Sequence, residues 1–183
     1  MDFKSDLKQS IGDFQKFGVP AANAFFGGDA QIVPTETQDD NLKKMLDFAG
    51  IDYLVKCARG LYPVAARMQH GKCCAATSIR RSRPNESMTE YEKITRARQY
   101  GALAAQYHIH GFITDDEQSA LVAISTTDEV ISIVKLNPSR WRTNWTDMTT
   151  FFFAPWTECK NLRVYRVTVD GNVEDVTAEY SAA

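Results

Sequence analysis

The sequence has few of the features that mark secreted or membrane proteins. Its four cysteines show neither regular spacing nor a CxxC pair: Cys57, Cys73, Cys74 and Cys159. This pattern fits neither a disulfide framework nor a zinc site, and it predicts four reduced thiols. No apolar run approaches the ~20 residues of a transmembrane helix, and the first residues lack the apolar segment of a secretory signal. We therefore expect a soluble, cytoplasmic protein that contacts no membrane.

An excess of charge of one sign is also missing, because the formal net charge is −2 and the pI is about 5.9. A tight, passive nucleic-acid binder is usually basic, whereas an enzyme can contact nucleic acid through a local patch. G-x-S-x-G, P-loop, dinucleotide-binding and H-E-x-x-H motifs are absent from the sequence. His108 and His110 would share one face of a strand, but no third metal ligand is near them, which favours a structural role.

What is present is the composition of a globular domain of 183 residues, with 44% hydrophobic and 24% charged residues. An amphipathic helix is predicted over 2–16, because apolar residues recur at intervals of three or four. These residues are Phe3, Leu7, Ile11 and Phe14. Gly18 and Pro20 are expected to end this helix, and the segment 18–35 is expected to be a loop.

A second helix is predicted to begin at Asp39 or Asp40 and to end at Gly50. Turns at Gly60 and Gly71 should join the three strands that follow, and such short turns favour antiparallel pairing. The three predicted strands are 51–55, 61–68 and 75–80.

Two capping boxes predict the helices of the second half of the chain. Thr89 and Glu92 open a helix that should reach about Ala105. Thr126 and Glu129 open another, which should end before Pro138. This last helix is expected to bury four apolar residues: Val130, Ile131, Ile133 and Val134.

The remaining predicted elements are strands. One is expected between the two capped helices, at either 112–113 or 121–124. Further β structure is predicted at 149–154 and 162–180, where Asp170-Gly171 indicates a hairpin. The predicted order is thus helix, three strands, helix, strand, helix and a β-rich tail, with a crossover between the third and fourth strands.

Two short stretches resemble a known family. Residues 46–53 read LDFAGIDY, and residues 89–93 read TEYEK. The first resembles the "LD…GID" entry into the strand that carries a metal-binding aspartate in PD-(D/E)xK nucleases. The second is similar to a helix start in phage and prophage members of that superfamily. Together with the element order, they make the segment 39–95 similar to the superfamily's core.

This resemblance implies a single α+β domain over 1–183. It would have an αβββαβ restriction-endonuclease-like core at about 39–135 and a β-rich tail at 140–183. The resemblance also implies cleavage of DNA with Mg²⁺ or Mn²⁺, in which metal ions generate hydroxide and neutralise charge on the phosphodiester. Asp52 matches the aspartate that holds the metal in the superfamily.

The next strand departs from the superfamily pattern. It should carry Glu-x-Lys, but 62–69 reads YPVAARMQ and contains neither an acid nor a lysine. Arg67 stands where the lysine is expected, and Gln69 shares its face of the strand. Arg67 cannot act as a base, but it can bind a phosphate through two hydrogen bonds.

The missing carboxylate and lysine would then come from elsewhere in the chain. Asp47 and Glu90 are candidate metal ligands beside Asp52. Glu36 and Glu92 are further choices for the carboxylate. Lys93 is the candidate for the displaced lysine. The alternative interpretation is that the acids at 90 and 92 belong to a solvated helix N-terminus, where the helix dipole favours acids for stability alone.

A basic cluster and an aromatic segment complete the candidate set. Arg80, Arg81 and Arg83 precede the helix at Thr89 and are predicted to contact DNA phosphates, with a solvated face as the alternative. Aromatic residues between 141 and 156 favour core and sheet packing over base stacking or the binding of a partner. They are Trp141, Trp145, Phe151, Phe152, Phe153 and Trp156.

Three hypotheses remain open at this point. The first is a metal-dependent nuclease acting on DNA, encoded by a phage or mobile element. The second is a catalytically inactive module with the same fold that binds nucleic acid or a protein partner. The third is an unrelated α+β interaction protein. The absent Glu-x-Lys favours the second, whereas Asp52 and the acidic helix start favour the first.

Overall fold

The computed structural model describes residues 9–85 and 87–180. The strands among them are β1 (Gln31–Pro34), β2 (Tyr53–Cys57), β3 (Gly60–His70), β4 (Ala76–Ser82), β5 (Tyr107–Ile113), β6 (Ser119–Thr126), β7 (Trp141–Asn144), β8 (Thr149–Pro155), β9 (Arg163–Thr168) and β10 (Val173–Asp175). The α-helices are α1 (Val19–Phe26), α2 (Asp40–Phe48), α3 (Glu90–Gln99) and α4 (Thr127–Leu136). The fold is therefore mixed α/β. None of the helices in the described ranges is long and apolar enough to cross a membrane.

A seven-stranded sheet lies at the centre, in the order β1-β2-β3-β5-β6-β9-β10. Neighbouring strands are antiparallel except β3 and β5, which are parallel and place Arg67 opposite His110. Parallel neighbours need a crossover connection, and here the segment that contains β4 and α3 provides it. This crossover brings β4 and α3 to the same face of the sheet as Arg67.

The N-terminal helix covers the other face of the central sheet. Residues 9–13 are helical, Phe14–Gly18 forms a π-helical turn, and α1 follows directly. Phe14 and Phe17 are buried against residues of β2, β3, β5, β6 and β9. Of the apolar positions predicted for this helix, Phe3 and Leu7 lie outside the described residues.

The predicted end of this helix is wrong, and so is the loop predicted over 18–35. Pro20 is the second residue of α1, directly after the π-helical turn, and the helical backbone continues through it. A Cβ on Gly18 would lie only 2.4 Å from the ring of Phe14, so this glycine lets the aromatic ring pack against the backbone. Both residues continue the helix, and β1 lies within the predicted loop.

The third predicted strand is present as β4, but its predicted pairing is wrong. β4 does not pair with β3; it pairs with β8 in a second sheet of order β4-β8-β7. Gly71 and Ala75, with φ of 110° and 47°, flank the connection that carries the chain from one sheet to the other. Ile79 of β4 is buried with Ile94 of α3.

Several local predictions are confirmed. The Asp39 carboxylate accepts hydrogen bonds from the N–H groups of Asn41 and Leu42 at the start of α2. Thr89 and Glu92 form a complete capping box at the start of α3. However, α3 ends at Gln99 rather than near Ala105, because the chain turns at Gly101 with φ of 64°.

The second half of the chain agrees more closely with the sequence. Both alternative positions for the fourth strand are occupied, the first by β5 and the second by β6. Thr126 caps α4, whose buried residues include all four that were predicted. Asp170-Gly171 joins β9 to β10 in the predicted hairpin. All four cysteines are free thiols.

Candidate functional site

A cleft of about 310 Å³ opens where the end of α2, the start of β2, the middle of β3, the end of β4 and the start of α3 meet. Its charged lining consists of three acids and four cations: Asp47, Asp52, Glu90, Arg67, Arg80, Arg83 and Lys93. The cleft thus brings together most of the residues that the sequence singled out for the site, and it leaves out Gln69, Arg81, Glu36 and Glu92. Neutral positions between them include Gly50, Ala66 and Met68.

Asp52 is fixed in the cleft by the backbone of β3. The Asp52 N–H donates to the carbonyl of Val64, and its Oδ2 accepts a hydrogen bond of 2.8 Å from the N–H of Ala66. The side chain thereby lies on the same face of the sheet as Arg67. The position follows from the sequence, because Gly50 ends α2 with φ of 68° and directs the chain into β2.

The pKa of Asp52 is raised to about 7, chiefly because the cleft removes water from around the carboxylate. The negative charges of Glu90 and Asp47 add to this rise, and the Ala66 N–H and Lys93 oppose it. The residue is nevertheless exposed at its outer side. Water that reaches the carboxylate there screens it and limits the free-energy cost of its charge.

Arg67 projects into the cleft from β3 and has no ion-pair partner within the described ranges. Its guanidinium carbon lies 4.2 Å from the centre of the Phe151 ring, in a cation–π contact. Burial lowers the pKa of Arg67 to about 10, so the group remains charged at neutral pH. It makes no hydrogen bond or ion pair with any residue of the described ranges. Its hydrogen-bond donors are therefore available to an anion.

Two further guanidinium groups enter the cleft from the end of β4. The Nε of Arg80 is buried and has no hydrogen-bond partner among the described residues. Arg83 donates to the Ser87 hydroxyl over 3.2 Å. The pKa of Arg83 is lowered, first by burial and then by the charge of Arg80. Together with Arg67, these groups form a cationic wall.

Gln69 and Arg81 lie outside the cleft. Gln69 shares the face of Arg67, but it lies two residues further along β3, opposite Phe112. Arg80 and Arg81 point to opposite sides of β4. The guanidinium carbon of Arg81 lies 4.6 Å from the centre of the Trp141 ring.

The acids of the cleft differ in their partners. Asp47 forms an ion pair of 2.7 Å with Lys93, so neither group is free. Glu90 has one carboxylate oxygen 3.5 Å from the Nδ1 of His108 and the other 3.5 Å from the N–H of Arg80. Glu36 and Glu92, the other candidate acids, contact Lys43 and Thr89 respectively. Asp52 and Glu90 therefore remain as the acids that a cation could bind.

The fit of these acids to a metal ion is partial. No group of three or more His, Cys, Asp and Glu side chains within 9–85 and 87–180 is arranged to hold a metal. Mg²⁺, however, is often bound through only one or two carboxylates together with substrate phosphate and water. A cation between Asp52 and Glu90 would also offset the mutual repulsion that helps to raise the pKa of Asp52. Asp52 and Glu90 are thus two carboxylates of the kind that Mg²⁺ takes as ligands, and they line the same cleft.

The two histidines of β5 are structural in part, as the sequence indicates. The Nδ1 of His110 accepts a hydrogen bond of 3.0 Å from the N–H of Ser78 and so links β5 to β4. His108 lies behind Glu90 and is equally buried. Burial lowers the pKa of both imidazoles. The sequence missed the contact between His108 and Glu90, because only the packing of α3 on the sheet creates it.

Comparisons of the chain with protein-family models, curated proteins and solved structures found no match.

Proposed function

We propose that this cleft binds a phosphodiester group of DNA and cleaves it with the help of a divalent cation. The observation that carries this proposal is the meeting of unpaired guanidinium groups with two acids in one cleft. Arg67 and Arg80 offer donors that no described residue uses. The proposal agrees with the PD-(D/E)xK resemblance of the sequence, although β3 lacks the acid and the lysine of that pattern.

Each group in the cleft has a distinct role in this proposal. Arg67 and Arg80 would bind the non-bridging oxygens of the phosphate, for which the planar guanidinium is well suited. Asp52 and Glu90 would hold Mg²⁺ or Mn²⁺, which supplies a hydroxide and neutralises charge on the phosphate. Lys93 would stay with Asp47 and keep the end of α2 against α3. Gln69 and Arg81 have no role at the phosphate.

The test separates binding from cleavage. Linear and circular DNA are incubated with Mg²⁺ or Mn²⁺, and binding to the same DNA is measured in EDTA. We expect metal-dependent cleavage by the native protein, none by Asp52→Asn, and weaker binding by Arg67→Met. Asp115→Asn is the matched control, because Asp115 is an exposed acid outside the cleft. Cleavage that survives Asp52→Asn, or that needs no metal, contradicts the proposed role of Asp52.

A non-catalytic DNA-binding module is the second candidate. It is favoured by the replacement of Glu-x-Lys with Arg67 and Gln69 and by the absence of a three-residue metal cluster in the described ranges. In that case the native protein binds DNA in an Arg67-dependent manner, and no cleavage is detected with either metal. If the native protein neither binds nor cleaves DNA, both candidates are wrong.

A further inference from the structure

The hairpin formed by β7 and β8 borders the cleft. Phe151 of β8 carries the guanidinium of Arg67 on its ring, at 4.2 Å. Ser82, the residue before Arg83, pairs with Thr150 near the start of β8, and the two hydroxyl oxygens lie 2.6 Å apart. The turn of this hairpin therefore lies close to the proposed phosphate position.

The hairpin exposes large apolar side chains at this turn. The side chain of Trp145 is 79% exposed and that of Met148 is 54% exposed, and Trp141 at the start of β7 is 43% exposed. Trp156, by contrast, is fully buried. The packing role that the sequence favoured for the aromatic segment thus holds for Trp156, but not for Trp145. The three exposed side chains lie on one hairpin, and exposed apolar side chains that lie together mark an interaction site more often than scattered ones do.

The turn that presents Trp145 is fixed by its own hydrogen bonds. The Asn144 Oδ1 accepts from the N–H of Thr146 at 3.1 Å, and the Asp147 Oδ1 accepts from the N–H of Thr149 at 3.0 Å. Asn144 also pairs with Thr149 across the two strands. Trp145 is consequently held outward by an ordered backbone, which lowers the entropic cost of stacking a ligand on it.

Guanidinium groups lie beside aromatic rings on both faces of the β7–β8 hairpin. Arg81 stacks on Trp141 at 4.6 Å, and Arg142 lies 5.8 Å from the ring centre of Phe153. A surface that combines guanidinium groups with exposed aromatic rings suits the alternating phosphates and bases of a single strand. A base paired in a duplex has both faces stacked, so only an unstacked base can use such a ring.

We propose that Trp145 stacks on an unstacked base next to the phosphate bound in the cleft, so that the substrate is single-stranded DNA. This inference rests on the proposed function, because the cleft must hold the phosphate that places the strand. The cleft then binds the phosphate, and the hairpin makes the protein prefer single strands. Stacking on Trp145 gives no sequence preference, because every base has a flat face.

The experiment uses fluorescence anisotropy in EDTA with three labelled DNAs of one sequence. They are a single strand, the same strand with an abasic spacer at every position, and the duplex. We expect the native protein to prefer the intact strand, and Trp145→Ala to weaken its binding about 10-fold to 100-fold. The abasic strand should bind the variant and the native protein equally. Trp145→Phe should restore most of the loss.

Tyr100→Ala is the matched control, because Tyr100 is 72% exposed and belongs to neither the hairpin nor the cleft. It should bind all three DNAs as the native protein does. Equal binding of intact and abasic strands by the native protein, or an unchanged intact-strand affinity in Trp145→Ala, overturns the inference. If Arg67→Met weakens binding while Trp145→Ala does not, the phosphate site stands and the stacking role falls. If the native protein binds none of the DNAs, the proposed function fails, and the inference fails with it.

Discussion

At the scale of single residues, Asp52 is a carboxylate held where the surrounding protein disfavours its charge. The Ala66 N–H orients the group, but loss of water and two neighbouring acids raise its pKa to about 7. An aspartate in an unfolded chain has a pKa near 3.9. The folded protein therefore loses stability as the pH rises between these two values, and it recovers none of that loss above pH 7.

Asp52→Asn should stabilise the protein at pH 8 in EDTA by about 1 kcal/mol, an amount reduced by the water that reaches the residue. The asparagine oxygen can still accept the hydrogen bond from Ala66. Near pH 5 the gain should be smaller, because most of the native carboxyl is then protonated. Urea unfolding at both pH values measures the difference. Asp115→Asn changes an exposed acid outside the cleft and should change stability by less than about 0.5 kcal/mol at either pH. An equal gain in the free energy of unfolding at both pH values would show that the fold does not disfavour the charged form of Asp52.

His110 should produce the opposite pH dependence. It is 1% exposed, and burial lowers its pKa, so it folds as the neutral imidazole. Its stabilising contribution is present above pH 6.5 and is lost as the pH falls, because the unfolded chain then takes up the proton first. Comparing native and His110→Asn proteins by urea unfolding at pH 7.5 and 5.5 should show about 1 kcal/mol less acid destabilisation in the variant. Identical pH profiles would contradict this.

The sequence predicts which residues enter the cleft where a local motif fixes their position. It does not predict this where the position depends on which face of a strand a side chain occupies. Asp52 follows a helix-ending glycine, and Glu90 follows a capping threonine, so local sequence places both. Arg80 and Arg81 differ only in the face of β4 on which they lie, and the sequence does not say which face meets the cleft. Gln69 shares the face of Arg67 but lies about 7 Å further along the strand.

At the scale of elements, the N-terminal helix shows that glycine and proline do not always end a helix. Gly18 accommodates the ring of Phe14, and Pro20 is the second residue of α1, directly after the π-helical turn. The prediction was wrong because it treated both residues as helix terminators, whereas their effect depends on the helical turn in which they lie.

Gly18→Ala should therefore destabilise the protein by about 1–3 kcal/mol, because its methyl group would collide with the buried Phe14 ring. Gly12→Ala is the matched control. Residue 12 is helical and exposed, and a Cβ there would meet nothing within 4 Å. That variant should gain up to about 1 kcal/mol from helix propensity. Thermal or urea unfolding compares the two, and equal effects would exclude the packing of Phe14 against Gly18.

The strand β4 illustrates the other limit of sequence reading. Its β pattern was evident, but pairing with β3 was inferred from a short connection. β5 instead occupies the edge of β3 through seven parallel partners, and β4 turns away to β8. A pattern of side chains predicts that a strand forms, but the choice of partner depends on strands distant in sequence.

At the scale of the whole molecule, a chain of net charge −2 concentrates cations in one cleft. If about three guanidinium groups meet phosphates, the logarithm of the affinity for single-stranded DNA should fall with the logarithm of salt concentration with a slope near −2. Arg83→Ala should make the slope shallower by about 0.7. Arg166→Ala, which removes a cation paired with Glu174 and Glu179, should not change it. A much steeper slope would indicate contacts far beyond the cleft.

The pairing of β4 with β8 also has a consequence for the order in which the molecule is made. Arg80 and Arg83 lie at the end of β4. Among the described residues, β4 pairs only with β8, which is synthesised after β5, β6 and α4. Closing so long a loop is slow and entropically costly. We therefore expect a nascent chain to remain unable to hold DNA until the β7–β8 hairpin leaves the ribosome.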